Sequence, residues 1–233
     1  MHTIEQTIML DSDSPLRKGN ISNGEVGIDN DLEMYIFSCG QTLSLLSTSI
    51  DKSAQAIQSL RITKNNSDSS SNFTHADHIE FAIENFFIRS HGIYDRALLF
   101  ASQLLDTGID KESINHQVIV TNSHAKKYGI EDKLKKLRKV CTEYRVERNK
   151  IIHHGRYAEE CFDFLSLVHK ANNLKNSASG EEVIDSEELD KITNDFIDVQ
   201  VEEFEEHLEK IKSELNAFYE LAEKVYKHKR ATF

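Results

Sequence analysis

The chain has 233 residues, 39% hydrophobic and 29% charged, enough apolar material for a buried core in a globular fold. Its formal charge of −11 excludes the overall basic balance of a general nucleic-acid binder. That charge is uneven, because residues 125–156 hold eleven Lys/Arg against four Asp/Glu, a basic segment in an acidic protein.

Three scattered cysteines, Cys39, Cys141 and Cys161, form no CxxC pair and argue for reduced thiols over a disulfide framework. No apolar run is long enough to cross a bilayer, and the first residues lack the charged start and apolar stretch of a signal peptide. The sequence therefore reads as a cytoplasmic protein with no membrane partner.

In chain order, residues 1–30 are rich in Ser, Asn, Asp and Gly and hold the only proline, Pro15; they are expected to be a flexible or loosely docked arm. Residues 31–233 are expected to form a single helical-bundle domain. Leu32, Ile36, Cys39, Leu43, Leu46, Ile50, Ala54, Ile57 and Leu60 recur at steps of three and four, which predicts a first long helix. A polar loop is expected over 63–72. A second helix is expected over 75–105, apolar around much of its girth. Residues 106–129 are ambiguous: INHQVIVTNSH reads as a short helix or as a β-branched strand without a partner.

A third long helix is expected over 130–154. Ile130, Leu134, Leu137, Cys141, Tyr144, Arg148 and Ile152 trace its inner stripe, and Gly155 stands where a left-handed C-cap belongs. Residues 157–174 read as helix, and 172–188 as an exposed loop. The last helix, about 188–229, carries Ile197, Val201, Phe204, Leu208, Ile211, Leu215, Phe218, Ala222 and Val225 in a 4–3 pattern that suits antiparallel bundle packing or a coiled coil with another chain, the first favoured because other long helices are at hand. The fold class is all-α, a bundle of about five long helices.

Chemistry concentrates in VERNKIIHHG, residues 146–155. A histidine titrating near neutrality can take a proton from a ribose 2′-hydroxyl or give one to a leaving oxygen. An arginine can stabilise charge building on a phosphate through paired hydrogen bonds. His153 and Arg148 are therefore the candidate catalytic pair, with Asn149 able to orient them. Five residues on a helix turn about 140°, so one helix alone does not bring Arg148 and His153 together. Two copies meeting near a two-fold axis can, since an isologous interface doubles every group. Lys150, Arg145, Arg156 and His154 are candidates for holding an RNA backbone.

The run Arg148-Asn149-Lys150-Ile151-Ile152-His153 at the end of a long helix resembles the R-N-x-x-x-H signature of HEPN-domain proteins. The stretch 84–100, ENFFIRSHGIYDRALLF, is similar to the partner helix of one bacterial subgroup, with Glu84 and the triplet Tyr94-Asp95-Arg96 as polar support. The resemblance covers roughly residues 30–225, and the six-residue motif is its specific part. It implies a helical bundle that dimerises near the motif helix. It also implies metal-independent endoribonuclease activity leaving a 2′,3′-cyclic phosphate, with no cofactor. A toxin or defence role and a nucleotidyltransferase-type antitoxin partner are implied in the same way. The alternative within the superfamily is a non-catalytic module that binds RNA or protein.

Structural readings of the same residues compete. Arg148 can be a buried arginine paired with Glu84 or Asp95. His153 and His154 can be capping residues at a helix end. His91 can be a core or surface histidine or line the cleft. His75 and His78 have the i, i+3 spacing of metal ligands around Asp77, but nothing nearby in sequence completes a set, so no metal is assigned.

Overall fold

The computed structural model describes residues 2–64, 73–179 and 182–233, without the side chain of His154. The expected polar loop at 65–72 lies outside the described residues. Nine α-helices occur among the described residues: α1 (Thr3–Met9), α2 (Asp31–Thr63), α3 (His75–Leu104), α4 (His116–Thr121), α5 (Ser123–Tyr128), α6 (Ile130–Cys141), α7 (Arg145–His154), α8 (Glu160–Ser179) and α9 (Ser186–Arg230). Strand is confined among them to a two-stranded hairpin, β1 (Ile21–Ser22) and β2 (Glu25–Val26). The protein is all-α.

Helix starts follow local chemistry. At α2, Asn30 Oδ1 accepts the Glu33 N–H while Glu33 Oε2 accepts the Asp29 N–H. At α3, Thr74 and Asp77 exchange the same kind of bonds. Both are capping boxes, which satisfy amides that have no partner inside the helix. Of the ambiguous residues 106–129, those from 116 to 128 form two short helices, capped by the side chains of Asn115 at α4 and Asn122 at α5.

The chain groups into two compact units: residues 1–50, 92–142 and 210–233, and residues 51–91 and 143–209. In the first unit, α2 buries Ile36, Cys39, Leu43 and Leu46, and α9 buries Ile211, Leu215, Phe218 and Ala222. The N-terminal segment, expected as a flexible or loosely docked arm, is built into this unit. Ile4 and Ile8 of α1 are fully buried, and Asp11 accepts from Tyr226 Oη and Arg230 Nε. Burial pushes the Asp11 carboxyl up, but Arg230, the Asp13 N–H and Tyr226 together hold it below its ordinary value. Burial pushes the Cys141 thiol up to about 12, as suits a packed side chain and not a nucleophile.

In the second unit, Phe86 of α3 stacks on Phe204 of α9 with ring centroids 4.0 Å apart. Helix α8 runs past the expected loop start to Ser179, because buried Asn172 accepts the N–H groups of Val183 and Ile184 and ties down the connection to α9.

His169 is 7% exposed, and its Nε2 lies 2.9 Å from Thr193 Oγ1. Thr193 donates its own proton to the Leu189 carbonyl, so His169 Nε2 is the donor to Thr193 Oγ1. Burial, reinforced by His75, pushes His169 down to about 4. The unfolded chain takes up this proton below pH 6.5 while the native state does not. Stability is therefore unaffected above pH 6.5 and falls as pH drops toward 4, by up to about 3 kcal/mol. Denaturant midpoints at pH 7 and 4.5 check this: His169→Gln is expected to lose less stability than the intact protein over that interval.

The expected third helix is two helices. The chain turns at residues 142–144, between α6 and α7, and this resets the helical phase. The inner stripe holds through Cys141 and then shifts by one residue: Ile151 is buried at 6% exposure, while Ile152, expected inside, is 46% exposed.

Candidate functional site

Helix α7 carries the whole Arg-Asn-x-x-x-His run. Its first turn closes where the Arg148 N–H donates to the Tyr144 carbonyl at 3.0 Å. It ends at Gly155, whose φ of 82° is the left-handed conformation that glycine adopts without strain, and whose N–H donates to the Ile151 carbonyl. Tyr144, just before the helix, and Tyr157, just after it, both pack against the ring of Phe87, with centroids at 5.1 and 5.8 Å. Tyr144 Oη also donates to Glu203. One buried phenylalanine thus braces both ends of the motif helix.

Arg148 and Asn149 are half-buried, and Arg148 Nη1 donates to Asn149 Oδ1 at 3.0 Å. His153 is exposed and makes no hydrogen bond to a described side chain. Arg145 and Lys150 are also exposed and form no ion pair with described residues. The structure therefore joins Arg148 to Asn149, and no hydrogen bond joins His153 to either of them. Val146, Asn149 and His153 follow one another at i, i+3 and i+7 and share a stripe of α7. Val146 on that stripe is 61% exposed. The side chain of His154 lies outside the described residues.

Arg156, expected to hold substrate, is engaged by carboxylates. It pairs with Asp163, and its Nε lies 3.9 Å from Glu80. Among the described residues Arg148 forms no ion pair, with Glu84, Asp95 or any other carboxylate. Glu84 instead accepts the Tyr157 N–H at 2.7 Å, so it supports the motif through the turn that follows α7. Phe87 and Tyr157, which sequence reasoning passed over, carry much of that support. Their sequence signal is weak, since an aromatic on a helix reads as ordinary core.

Tyr94, Asp95 and Arg96 belong to the first unit. Tyr94 is buried and hydrogen-bonds His116 Nδ1. Burial, then the charges of Arg138 and Lys135, holds His116 below its ordinary value, so a neutral ring faces the hydroxyl. Asp95 and Arg96 are exposed. His75 and His78 gain no further ligand: among the described residues, no three His, Cys, Asp or Glu side chains converge as a metal site.

A family model, that of the Cthe2314-like HEPN family, matches residues 35–233. The chain belongs to this family. No curated protein and no solved structure matches it. The HEPN match takes in all the long helices and places the Arg-Asn-x-x-x-His run of α7 inside a HEPN domain. None of the described helices of this HEPN protein is long and apolar enough to cross a membrane.

Proposed function

We propose that this HEPN protein is a metal-independent endoribonuclease acting as a homodimer through α7. The observation that carries the proposal is the makeup of the α7 surface. An exposed imidazole, a half-buried Arg–Asn pair and two uncharged apolar side chains, Val146 and Ile152, lie on one ten-residue helix. Val146 shares its stripe with Asn149 and His153, and Ile152 follows Arg148 by one turn, so each apolar side chain sits beside a motif residue. A second α7 laid against the Val146 stripe covers that valine and brings a second Arg148 and His153 to the same place.

In the proposed reaction, the 2′-oxygen attacks the adjacent phosphorus and its proton passes to one His153 imidazole. The bond to the 5′-oxygen breaks, and that oxygen takes a proton from the second His153. The products are a 2′,3′-cyclic phosphate and a free 5′-hydroxyl. Arg148 donates to the phosphate oxygens as charge builds, with Asn149 holding the guanidinium in place. Arg145 and Lys150 are the cations available to the flanking RNA backbone. We extend the proposal to a toxin or defence role in the cytoplasm, with a nucleotidyltransferase-type antitoxin as partner. Resemblance of the motif and its partner helix is the support for that extension.

The test is cleavage of single-stranded RNA by the full chain in excess EDTA, with end-group analysis. Products ending in 2′,3′-cyclic phosphate are expected. RNA binding without product at any pH would instead make α7 a recognition element.

A further inference from the structure

The second unit contains a cleft of about 660 Å³ beside the end of the motif helix. That volume lies in the range of ligand pockets, about 300–1,000 Å³. Gly155 and Arg156 form one edge, two and three residues after His153 in the chain. Phe81 forms another. Its ring is 66% exposed and stacks on no other ring among the described residues.

Three carboxylates line the cleft, and two are occupied. Asp77 accepts from Thr74, and Glu84 accepts the Tyr157 N–H. Glu80 is different, because its Oε1 is buried without a hydrogen-bond partner. Arg156 Nε lies 3.9 Å from that oxygen, an ion pair too long for a hydrogen bond, and the same guanidinium also pairs with Asp163. Burial, and then the charge of Glu84, pushes the Glu80 carboxyl above its ordinary value. A buried acceptor in this state is stabilised by an incoming N–H donor.

Exposed Lys170 also lines the cleft. On its other side, Phe81 borders a smaller hollow of about 210 Å³ that holds Lys52 and Arg89 and no carboxylate. An exposed ring bordered by cations, with a buried carboxylate oxygen that lacks a hydrogen bond in the same cleft, matches the way single strands are held: bases stack on aromatics while phosphates follow the positive charge.

We propose that this cleft is a nucleobase pocket for single-stranded RNA. It takes a base with an exocyclic amino group, which stacks on Phe81 and donates to Glu80 Oε1. The flanking phosphates run toward Lys170 on one side and toward Lys52 and Arg89 on the other. The choice of RNA rests on the ribonuclease assignment, and the pocket supplies that enzyme with base preference next to the scissile bond. Adenine, cytosine and guanine carry that amino group, whereas uracil offers only an N3–H flanked by two carbonyl oxygens that repel a carboxylate.

The test is equilibrium binding of AMP, CMP, GMP, UMP and base-free ribose 5-phosphate to the full chain and to Phe81→Ala, Glu80→Ala and His153→Ala. At least one amino-bearing nucleotide is expected to bind about tenfold or more tightly than UMP and than ribose 5-phosphate. Phe81→Ala is expected to lose that affinity, Glu80→Ala the discrimination against UMP, and His153→Ala neither. No nucleotide binding above ribose 5-phosphate, or unchanged binding by Phe81→Ala, overturns the pocket. The two assignments separate cleanly. RNA cleavage without nucleotide binding at Phe81 removes the pocket and leaves the ribonuclease. Nucleotide binding without cleavage removes the ribonuclease and leaves the pocket.

Discussion

His153→Ala is expected to slow RNA cleavage by about 10²–10⁴-fold, the usual contribution of a positioned general acid or base. The protein should stay folded. His153 is exposed, makes no hydrogen bond to a described side chain, and sits in the last turn of α7. Alanine is the better helix former, so the stability change should fall within about 0.5 kcal/mol, as for other surface substitutions. Single-turnover cleavage in EDTA, run beside a thermal melt, reads both quantities. Full activity in the variant would end the assignment of this histidine.

Arg148→Ala is a less clean experiment. It removes the charge proposed to meet the phosphate, but it also frees Asn149 Oδ1 from a 3.0 Å hydrogen bond. The histidine change touches one function, whereas the arginine change touches two.

The motif was legible because it is contiguous. Six residues on one helix, a glycine at its end and a basic surround all show in the sequence. The long helices were legible for a related reason: Ile36 to Leu60 on α2 and Ile197 to Val225 on α9 repeat at helical spacing, and the structure buries all of these but Ile50 and Ala54, which are half-buried. What escaped was mostly short-range geometry. The turn at residues 142–144 has no Gly or Pro to announce it, so α6 and α7 read as one helix and Ile152 was placed inside in place of Ile151.

The hairpin was announced and overlooked. Asn23-Gly24 is the dipeptide that two successive left-handed residues favour, and both have positive φ, 54° and 80°. The N-terminal segment misled by composition, since its Ser and Asp residues serve as partners for Arg230 and hide the two isoleucines of α1. Long-range pairing was out of reach altogether. Nothing in the spacing of Glu84 and Tyr157 says that one accepts the other's N–H, or that Arg156 is committed to Asp163.

A large stability effect is expected at Phe87, which links the core of the second unit to the motif helix. Its ring is 3% exposed and touches Tyr144, Tyr157 and Phe204. Phe87→Ala removes a full aromatic side chain from a packed site, a change that costs about 3–5 kcal/mol. Phe86→Ala is the matched comparison. Phe86 is fully buried and stacks on Phe204 at 4.0 Å, but has no ring contact with Tyr144 or Tyr157. Both variants should lower the denaturant midpoint by a similar amount. They should differ in hydrogen exchange over residues 145–154. With Phe87 gone, both ends of α7 lose their brace, so local opening becomes easier than global unfolding and its amides exchange faster. With Phe86 gone, α7 should keep its protection relative to the rest of the unit. Equal loss of α7 protection in the two variants would mean that the motif helix is held by the general stability of the core and not by the bracing of its two flanking tyrosines.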